Sequence, residues 1–308
     1  MTHPVIAIGL DSFEPSLLEK WMNEGYLKNL SRLREEGIYG RLGNFKDSNV
    51  ETAWTTFLTG CKPEKTGYWA AMGLKEGSYD TETRAAYNYQ EYSPFFSLSE
   101  GYRIATFDVP QLRLNPQIPG IQVGAWGAHS PQVPSTSIPE NLFQELVTKH
   151  GNHPGLHNDY AVCLNLQGTL DVEGRFLTGI KNRAKICQYL LLRVYWILFF
   201  TDFSEFHSGG HIFWHLSQPE HPLYEKLQPQ VSHDPLLSVV QAMDHAIGEI
   251  LEKAPQEAQI VIFSGHGMGP ATIDLPSFAF LPEFLYRFSF PGKYGLGYGD
   301  ISAPLPPM

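Results

Sequence analysis

Residues 194–215 read VYWILFFTDFSEFHSGGHIFWH. The first seven are aliphatic or aromatic, and a run of this length and composition predicts a buried strand. If the chain becomes helical directly after it, His207, His211 and His215 fall on one helical face. Neutral imidazoles at the carboxyl end of a strand can bind a metal ion. The alternative is an aromatic-rich loop whose histidines are hydrogen-bonded to backbone, and the segment alone leaves both interpretations open.

The bulk composition bounds the class of protein. The chain has 308 residues, of which 43% are hydrophobic and 13% aromatic, so it can bury a sizeable core. Its formal net charge of -10 argues against a nucleic-acid partner. An anionic substrate would need a local positive charge to offset this field, and a bound metal ion is the obvious source.

The cysteine count and the apolar runs indicate the cellular compartment and whether the chain crosses a membrane. The three cysteines, Cys61, Cys163 and Cys187, fit no metal-binding spacing, and their odd number cannot complete a disulfide framework. The N-terminus lacks the basic and apolar regions of a signal peptide. The run from Tyr189 to Phe200 contains Arg193 and is shorter than the roughly 20 residues that span a bilayer. We therefore expect a soluble, cytoplasmic protein without a membrane span.

Two further apolar runs end on polar residues that could reach the same place. Val5–Leu10 predicts a buried strand that ends on Asp11, and Gln259–Phe263 predicts another that runs into His266 between two glycines. Polar groups at the carboxyl ends of parallel strands are in the usual place for ligand binding. Asp11 could instead cap the helix that follows it, and the two roles are compatible.

The segment from Val50 to Gly60 combines a helical pattern with several hydroxyls. We expect a helix from about Thr52 to Leu58, closed by Gly60, after a second short strand at Ile38–Phe45. A hydroxyl at such a helix start is both a cap and a potential nucleophile, because free N–H groups there stabilise developing negative charge.

Strand and helix patterns alternate along most of the chain, which predicts an α/β fold with a mainly parallel sheet covered on both faces. We expect one domain, 1–308, with an excursion around 71–100 that lies near the mouth of the site. Further expectations are a linker at Pro134–Pro139, irregular chain over 150–175, and helices at Glu140–Lys149, Gly179–Leu192, Leu236–Lys253 and Phe278–Phe288.

Four stretches together resemble the alkaline phosphatase superfamily, nearest to its type I phosphodiesterase/nucleotide pyrophosphatase branch. Val5–Ser12 is similar to the first strand with its metal-binding Asp. The segment WTTFLTG, residues 54–60, followed by Pro63 and Gly67, is similar to the segment after the nucleophile. His207 and His211 fall where the family has an Asp and a His four apart, and SGHGM, residues 264–268, resembles the family motif S-D-H-G-M.

The resemblance implies a three-layer sandwich and a metal-dependent hydrolase of phosphate mono- or diesters, acting on a small anionic substrate. It implies one or two divalent cations, zinc or manganese, flanking a Ser or Thr nucleophile. Carried over to this chain, the metal ligands are Asp11, His207, His211 and His266, and the nucleophile is Thr52.

The sequence departs from the family pattern at three places. Counting back from Thr59, the nucleophile position falls on Val50, so Thr52, with Ser48 behind it, is the nearest substitute. Gly265 replaces a metal-binding Asp, and no histidine follows His266. These departures favour an alternative, a catalytically degenerate or partial domain that binds a metal or an anion, and the chain could be truncated at its C-terminus.

A sulfatase is the enzymatic alternative. Its formylglycine forms within a motif C/S-x-P-x-R, and residues 61–65 of this chain read CKPEK, with Lys65 in place of the Arg. Cys61 also follows the helix that should come after the nucleophile, so we discount this reading.

Overall fold

The computed structural model describes residues 3–45, 50–98, 101–127, 133–155, 165–193, 195–270, 274–297 and 299. Eight strands are found in this part of the chain: β1 (Val5–Leu10), β2 (Met72–Leu74), β3 (Thr81–Thr83), β4 (Ile104–Phe107), β5 (Gly120–Gly124), β6 (Thr136–Ile138), β7 (Leu198–Phe203) and β8 (Gln259–Phe263). Six of them form the central sheet in the order β6-β5-β4-β7-β1-β8. Only β6 runs antiparallel in it, and β2 and β3 form a separate hairpin.

The helices of the described chain are α1 (Pro15–Asn23), α2 (Lys28–Glu36), α3 (Val50–Thr59), α4 (Pro63–Thr66), α5 (Leu142–His150), α6 (Leu166–Arg193), α7 (Glu205–Ser217), α8 (Tyr224–Leu227), α9 (Pro235–Leu251) and α10 (Asp274–Ser289). Short 3-10 turns lie at Phe95–Leu98 and Gln228–Gln230. None of these helices is long and apolar enough to cross a membrane.

Alternate side chains of the central strands pack into two separate hydrophobic cores, one on each face of the sheet. Ile6 and Ile8 of β1 pack into the larger core with α1, α2, α6 and α9. Ala7 of the same strand and Phe200 of β7 face the opposite side and pack with Trp54 of α3. Period-two alternation thus buries both faces of the sheet, as expected for a parallel sheet between helical layers. The predicted α/β fold with a mainly parallel sheet is confirmed.

Most of the predicted elements are found, with shifts at their ends. β1 and β8 have the predicted bounds, and α7 begins two residues after β7, so the segment after the strand is helical. The strand expected from Val194 is assigned from Leu198, although the Val5 N–H already donates to the carbonyl oxygen of Ile197, and Val194 itself lies outside the described residues. The helix α6 begins at Leu166, earlier than predicted, since burial of residues such as Val172 and Phe176 in the larger core extends it.

Three local predictions are wrong. The chain expected to be irregular over 150–175 is helical from Leu166. Ile38–Phe45 forms no strand: the segment is irregular and pairs with none of the strands in the described part of the chain, and Ile38 and Leu42 are exposed. Pro134–Pro139, predicted to be a linker, contains β6, which pairs with β5 in register Gln122 to Ile138. Tertiary pairing decides whether so short a segment becomes a strand.

The excursion around 71–100 contains the β2–β3 hairpin and a group of aromatic residues. Tyr87, Tyr89 and Phe96 are buried in the second core together with Trp54 and Phe200. These aromatic rings therefore stabilise the packing of α3 against the sheet. The assignment of the whole chain to one domain stays a prediction.

Candidate metal centre at the carboxyl edge of the sheet

Asp11 lies at the centre of the polar group that ends β1, and its side chain is buried. One carboxylate oxygen, Oδ2, is 2.8 Å from Nδ1 of His207. The other, Oδ1, accepts a 2.8 Å hydrogen bond from the indole of Trp54 and lies 3.6 Å from Nε2 of His266. The cap of α1 is Glu14, whose side chain accepts from the Ser16 N–H, so the helix-cap alternative for Asp11 is wrong.

The strand order explains why these residues meet. β7 and β8 flank β1 on either side, and all three are parallel, so their carboxyl ends lie at one edge. Asp11 follows β1, His207 lies in the first turn of the helix after β7, and His266 lies in the loop after β8. Residues 196 and 255 positions from Asp11 in the chain thereby become its neighbours.

Two glycines permit the close packing around this edge. A Cβ on Gly9 would lie 2.5 Å from Oδ1 of Asp202 and 2.8 Å from the Trp54 ring. A Cβ on Gly210 would overlap the sulfur of Met268, which follows His266 in the same loop. The absence of these side chains lets α3 approach β1, and lets the loop after β8 lie on α7.

The three residues fit a divalent metal ion. One ligand atom from each of Asp11, His207 and His266 can be chosen so that all lie within 4.8 Å of one another. A carboxylate with two imidazoles is a donor set that zinc and manganese accept, and three protein ligands leave a position for water or substrate. We call these three residues the Asp11 cluster; their role as ligands stays a prediction.

The electrostatics of the cluster favour a cation. Burial by itself raises the pKa of Asp11, but His207, His266 and the Trp54 hydrogen bond together hold that pKa well below its ordinary value of 3.8. Asp11 is therefore an ionised carboxylate inside the protein, and its salt-bridge partners among the described residues are both histidines.

Asp202 is a second buried carboxylate at this edge, and it was not among the predicted site residues. It lies opposite Gly9 in the β1–β7 register. Burial, and to a smaller extent repulsion from Asp11, raises the pKa of Asp202 well above 3.8. Its Oδ2 accepts a 2.7 Å hydrogen bond from Ser204, while Oδ1 has no hydrogen-bond partner among the described residues. The available signal was an acidic residue inside the apolar run 198–203, where a charge is costly.

The other predicted residues are placed as follows. His211 is exposed on the next turn of α7, with its ring centroid 5.1 Å from that of His207. His215 is partly buried, and burial lowers its pKa to about 4, so it is neutral. Thr52 is buried in the first turn of α3, and Ser48 lies outside the described residues. The metal-ligand role of His211 and the nucleophilic role of Thr52 stay predictions.

A second buried polar group lies on the other side of β7. Arg183 of α6 is fully buried and forms ion pairs of 2.9 Å with Asp108 and 3.2 Å with Glu205. His153 lies 3.1 Å from the same Glu205 oxygen. Asp108 also accepts two backbone hydrogen bonds, from the N–H groups of Trp126 and Gly127. We call Arg183, Asp108, Glu205 and His153 the Arg183 network; Glu205 is the first residue of α7, so the network fixes the start of the helix that carries His207.

A cavity of about 530 Å³ borders the centre on the side of β8. His266 and Gly265 contribute to its lining, together with residues of α1, α2, β8 and the irregular segment from Gly37 to Asn44. Gly265 has room for a side chain: a Cβ there would meet only Ala53, at 3.8 Å. The first atom of a side chain, at least, would fit at the position where the family pattern has an Asp.

A six-stranded, mostly parallel sheet with acidic and histidine side chains at its carboxyl edge defines an α/β protein with an alkaline phosphatase-like fold. The chain belongs to the type I phosphodiesterase/nucleotide pyrophosphatase family, whose model matches residues 5–284. The resemblance predicted from the sequence motifs is confirmed. A search of curated protein sequences finds no match.

Solved structures share the fold at low sequence identity. Phosphonoacetate hydrolase from Sinorhizobium meliloti 1021 in complex with phosphonoformate is 16% identical, with a TM-score of 0.53 over 87% of this chain and 57% of that chain. The structure of the same enzyme in complex with phosphonoacetate is also 16% identical, with a TM-score of 0.54 over 89% of this chain and 58% of that chain. A 2-O GAG sulfatase, BT1596, is 10% identical with a TM-score of 0.49, covering 87% of this chain and 59% of that chain. This chain thus spans less than two thirds of the length of these structures.

Proposed function

We propose that this protein is a metal-dependent hydrolase of phosphate mono- or diesters. The observation that carries the proposal is the Asp11 cluster, in which three donor atoms lie within 4.8 Å of one another at a buried sheet edge. Membership of the phosphodiesterase family supports the reaction class. The net charge of -10 makes a bound cation the natural means of attracting a small anionic ester.

Asp11, His207 and His266 would hold one divalent ion, zinc or manganese, with His211 beside them as a fourth ligand or as a ligand to a second ion. When bound, the ion would polarise a phosphoryl oxygen and offset the charge of the phosphate group. The Trp54 indole fixes one oxygen of Asp11 with a 2.8 Å hydrogen bond. Such partners orient a ligand and tune its affinity for the metal.

Thr52 is our candidate nucleophile. It lies in the first turn of α3, where backbone N–H groups lack helical partners and stabilise negative charge. Trp54, two residues further along the same helix, contacts Asp11, so α3 is anchored directly to the proposed metal ligand. The Thr52 oxygen would bond to phosphorus as the P–O bond to the alcohol of the ester breaks, and the alcohol would leave with a proton. Water would then attack the phosphorylated Thr52, release the phosphate group and return a proton to the Thr52 oxygen.

The proposal is tested with metal-stripped protein reloaded with zinc or manganese. Metal per chain is counted by mass spectrometry, and hydrolysis of p-nitrophenyl phosphate and of bis(p-nitrophenyl) phosphate is followed by absorbance. We expect at least one ion per chain and turnover that depends on it. Turnover that is unchanged after the metal has been removed would overturn the proposal, and so would an absence of both metal binding and turnover.

The nucleophile is tested with Thr52→Ala, for which we expect loss of turnover with metal content unchanged. Thr56→Ala is the matched control, because it removes the same hydroxyl one turn along α3. Equal activity in Thr52→Ala and the control would remove Thr52 from the mechanism while leaving the metal site untouched.

A non-catalytic metal- or anion-binding domain is the second candidate. Two observations favour it: Thr52 has 0% of its surface exposed, and Gly265 supplies no carboxylate. This candidate predicts one bound ion per chain with no turnover of either ester. The metal count and the turnover assay therefore separate the two candidates in one experiment. A cytoplasmic location stays a prediction.

A further inference from the structure

We propose that the hydroxyl of Ser12 is an additional ligand of the metal ion held by the Asp11 cluster. The inference rests on the proposed metal site and deepens it. No family motif quoted above assigns a role to this residue, because the motif at the end of the first strand is carried by Asp11.

The position of the hydroxyl carries the proposal. Ser12 Oγ lies 2.6 Å from Nε2 of His266, and the same nitrogen is 3.6 Å from Oδ1 of Asp11. The Ser12 side chain is buried, with 1% of its surface exposed, so the hydroxyl is enclosed with the proposed ligands. A metal ion that is bound through Asp11 and His266 would have this oxygen within its immediate surroundings.

The coordination chemistry accommodates the fourth donor. Structural zinc sites use four ligands, while catalytic zinc expands to five, and manganese accepts still more oxygen donors. Ser12 would bring the protein donors to four and leave a further position for an oxygen of the substrate. An oxygen donor also suits manganese, so Ser12 bears on which metal the site prefers.

The backbone gives a second, independent argument. The Phe13 N–H donates to the carbonyl oxygen of Leu10, which closes a turn with Ser12 in its third position. Ser12 has φ +59°, a left-handed conformation in which this turn position ordinarily carries glycine. Strained backbone of this kind concentrates at functional sites. A purely structural turn would be satisfied better by glycine.

Ser264 provides the contrast within the same loop as His266. Its Oγ accepts from the Phe13 N–H at 3.1 Å and donates to the carbonyl oxygen of His266 at 2.7 Å. Both partners are backbone groups, so this serine holds the loop after β8 against the turn after β1. Ser264 is thus a structural neighbour, whereas Ser12 contacts the imidazole of a proposed ligand.

The first test compares Ser12→Gly with the unaltered chain. Glycine relieves the left-handed strain and removes the hydroxyl, so the two roles of Ser12 predict opposite changes. We expect the metal-free variant to melt at the same or a higher temperature, while its zinc dissociation constant, measured by competition with a chromophoric chelator, rises about tenfold or more. An unchanged zinc affinity in a folded Ser12→Gly variant would overturn the proposal.

The second test replaces the oxygen by sulfur and reads the ligand directly. Cobalt bound in place of zinc gains a sulfur-to-metal charge-transfer band in the near ultraviolet when a thiolate coordinates it. We expect this band in Ser12→Cys, and we expect it to be absent from the unaltered chain and from Ser264→Cys, the matched control. A cobalt complex of Ser12→Cys without the band would contradict the assignment.

These outcomes separate this inference from the proposed function. If the unaltered chain binds neither zinc nor cobalt, the metal site fails, and the role of Ser12 fails with it. If the chain binds metal but both Ser12 variants behave like the unaltered chain, only the role of Ser12 fails.

Discussion

The Asp11 cluster and the Arg183 network lie on opposite sides of β7 at the same sheet edge, and each contains at least one buried carboxylate and one histidine. In the Arg183 network a guanidinium neutralises two carboxylates, at 2.9 and 3.2 Å. In the Asp11 cluster the carboxylate faces two histidines, and a second acid, Asp202, lies nearby with a raised pKa. The Arg183 network thus contains a permanent cation, the Arg183 guanidinium, whereas the geometry of the Asp11 cluster suits a bound metal cation. Burial and polarity alone therefore do not distinguish the two regions, whereas their charge balance does.

The largest expected effect concerns the cation of the Arg183 network. Arg183→Met should leave Asp108 and Glu205 buried without compensation, which lowers the free energy of unfolding by about 3–5 kcal/mol. Glu205 has a pKa lowered from 4.5, since Arg183 and His153 outweigh its burial. The contribution of Glu205 to stability is present above pH 4.5 and is lost as pH falls, so the penalty of the variant should shrink in acid.

Urea denaturation at several pH values measures this prediction. Arg193→Met is the matched control on the same helix, because Arg193 pairs with Glu145 at the surface, and its loss should change stability much less. Equal effects of the two substitutions would show that the Arg183 network contributes no more than a surface ion pair.

The second prediction removes the central ligand of the Asp11 cluster. Asp11→Asn keeps the shape of the side chain and its contact with Trp54, but it removes the charge that faces the metal. We expect zinc affinity to fall by about 100-fold or more, the upper end of the effect of losing even an outer-shell partner. The rise in melting temperature on adding zinc should disappear as well.

Titration calorimetry with zinc checks this result, and Asp108→Asn serves as the comparison on the other side of β7. That variant should lose stability and keep its zinc affinity. A variant of Asp11 that binds zinc as well as the unaltered chain would remove Asp11 from the ligand set.

The third prediction concerns Asp202, which lies between the two regions. Because its folded-state pKa is raised above 3.8, ionising Asp202 lowers the free energy of unfolding by an increasing amount as pH rises above that value. Asp202→Asn should therefore raise the melting temperature of the metal-free chain at neutral pH by roughly 2–4 °C, which corresponds to about 1 kcal/mol. Asn still accepts the hydrogen bond of Ser204.

Calorimetry at pH 7 and pH 5 provides the check, since the gain should be smaller at the lower pH. A variant that is less stable than the unaltered chain at pH 7 would mean that the ionised carboxylate of Asp202 is favourable where it lies.

The smallest expected effect tests how far the Asp11 cluster extends. His211 is exposed, and its ring lies 5.1 Å from that of His207. If His211 binds a second ion, His211→Asn should weaken binding of the first zinc ion by about tenfold or less. His207→Asn is the matched comparison, and an equally large loss in both variants would make His211 a ligand of the same ion.

Much of the fold could be predicted from the sequence, because the apolar runs of β1, β7 and β8 are long enough to be recognised by length and composition. Two of the failures are short segments. β6 pairs with β5, whereas Ile38–Phe45 has the composition of a strand but pairs with none of the described strands. Strand formation in such segments depends on partners that are distant in sequence.

The residues of the candidate site also fall into those that the sequence indicated and those that only the structure revealed. The sequence marked Asp11, His207 and His266, because each follows an apolar run and fits a family motif. It did not mark Asp202, which is an acidic residue within a strand, or Ser12, whose importance depends on a left-handed turn and on a histidine 254 residues away. Both became visible only as neighbours of other residues.

The amino-acid sequence by itself determined the α/β class and the family, because hydrophobic periodicity and motif spacing are local properties of the chain. It left open whether the segment that carries His207 and His211 is helical, and the structure shows that it is. The tertiary structure decided which polar groups share a charge environment. Only the parallel order β7-β1-β8 places Asp11 between two histidines, while β4-β7 places Arg183 against two acids. Electrostatic interactions depend on distance through space and on burial, and neither can be read from the order of residues in the chain.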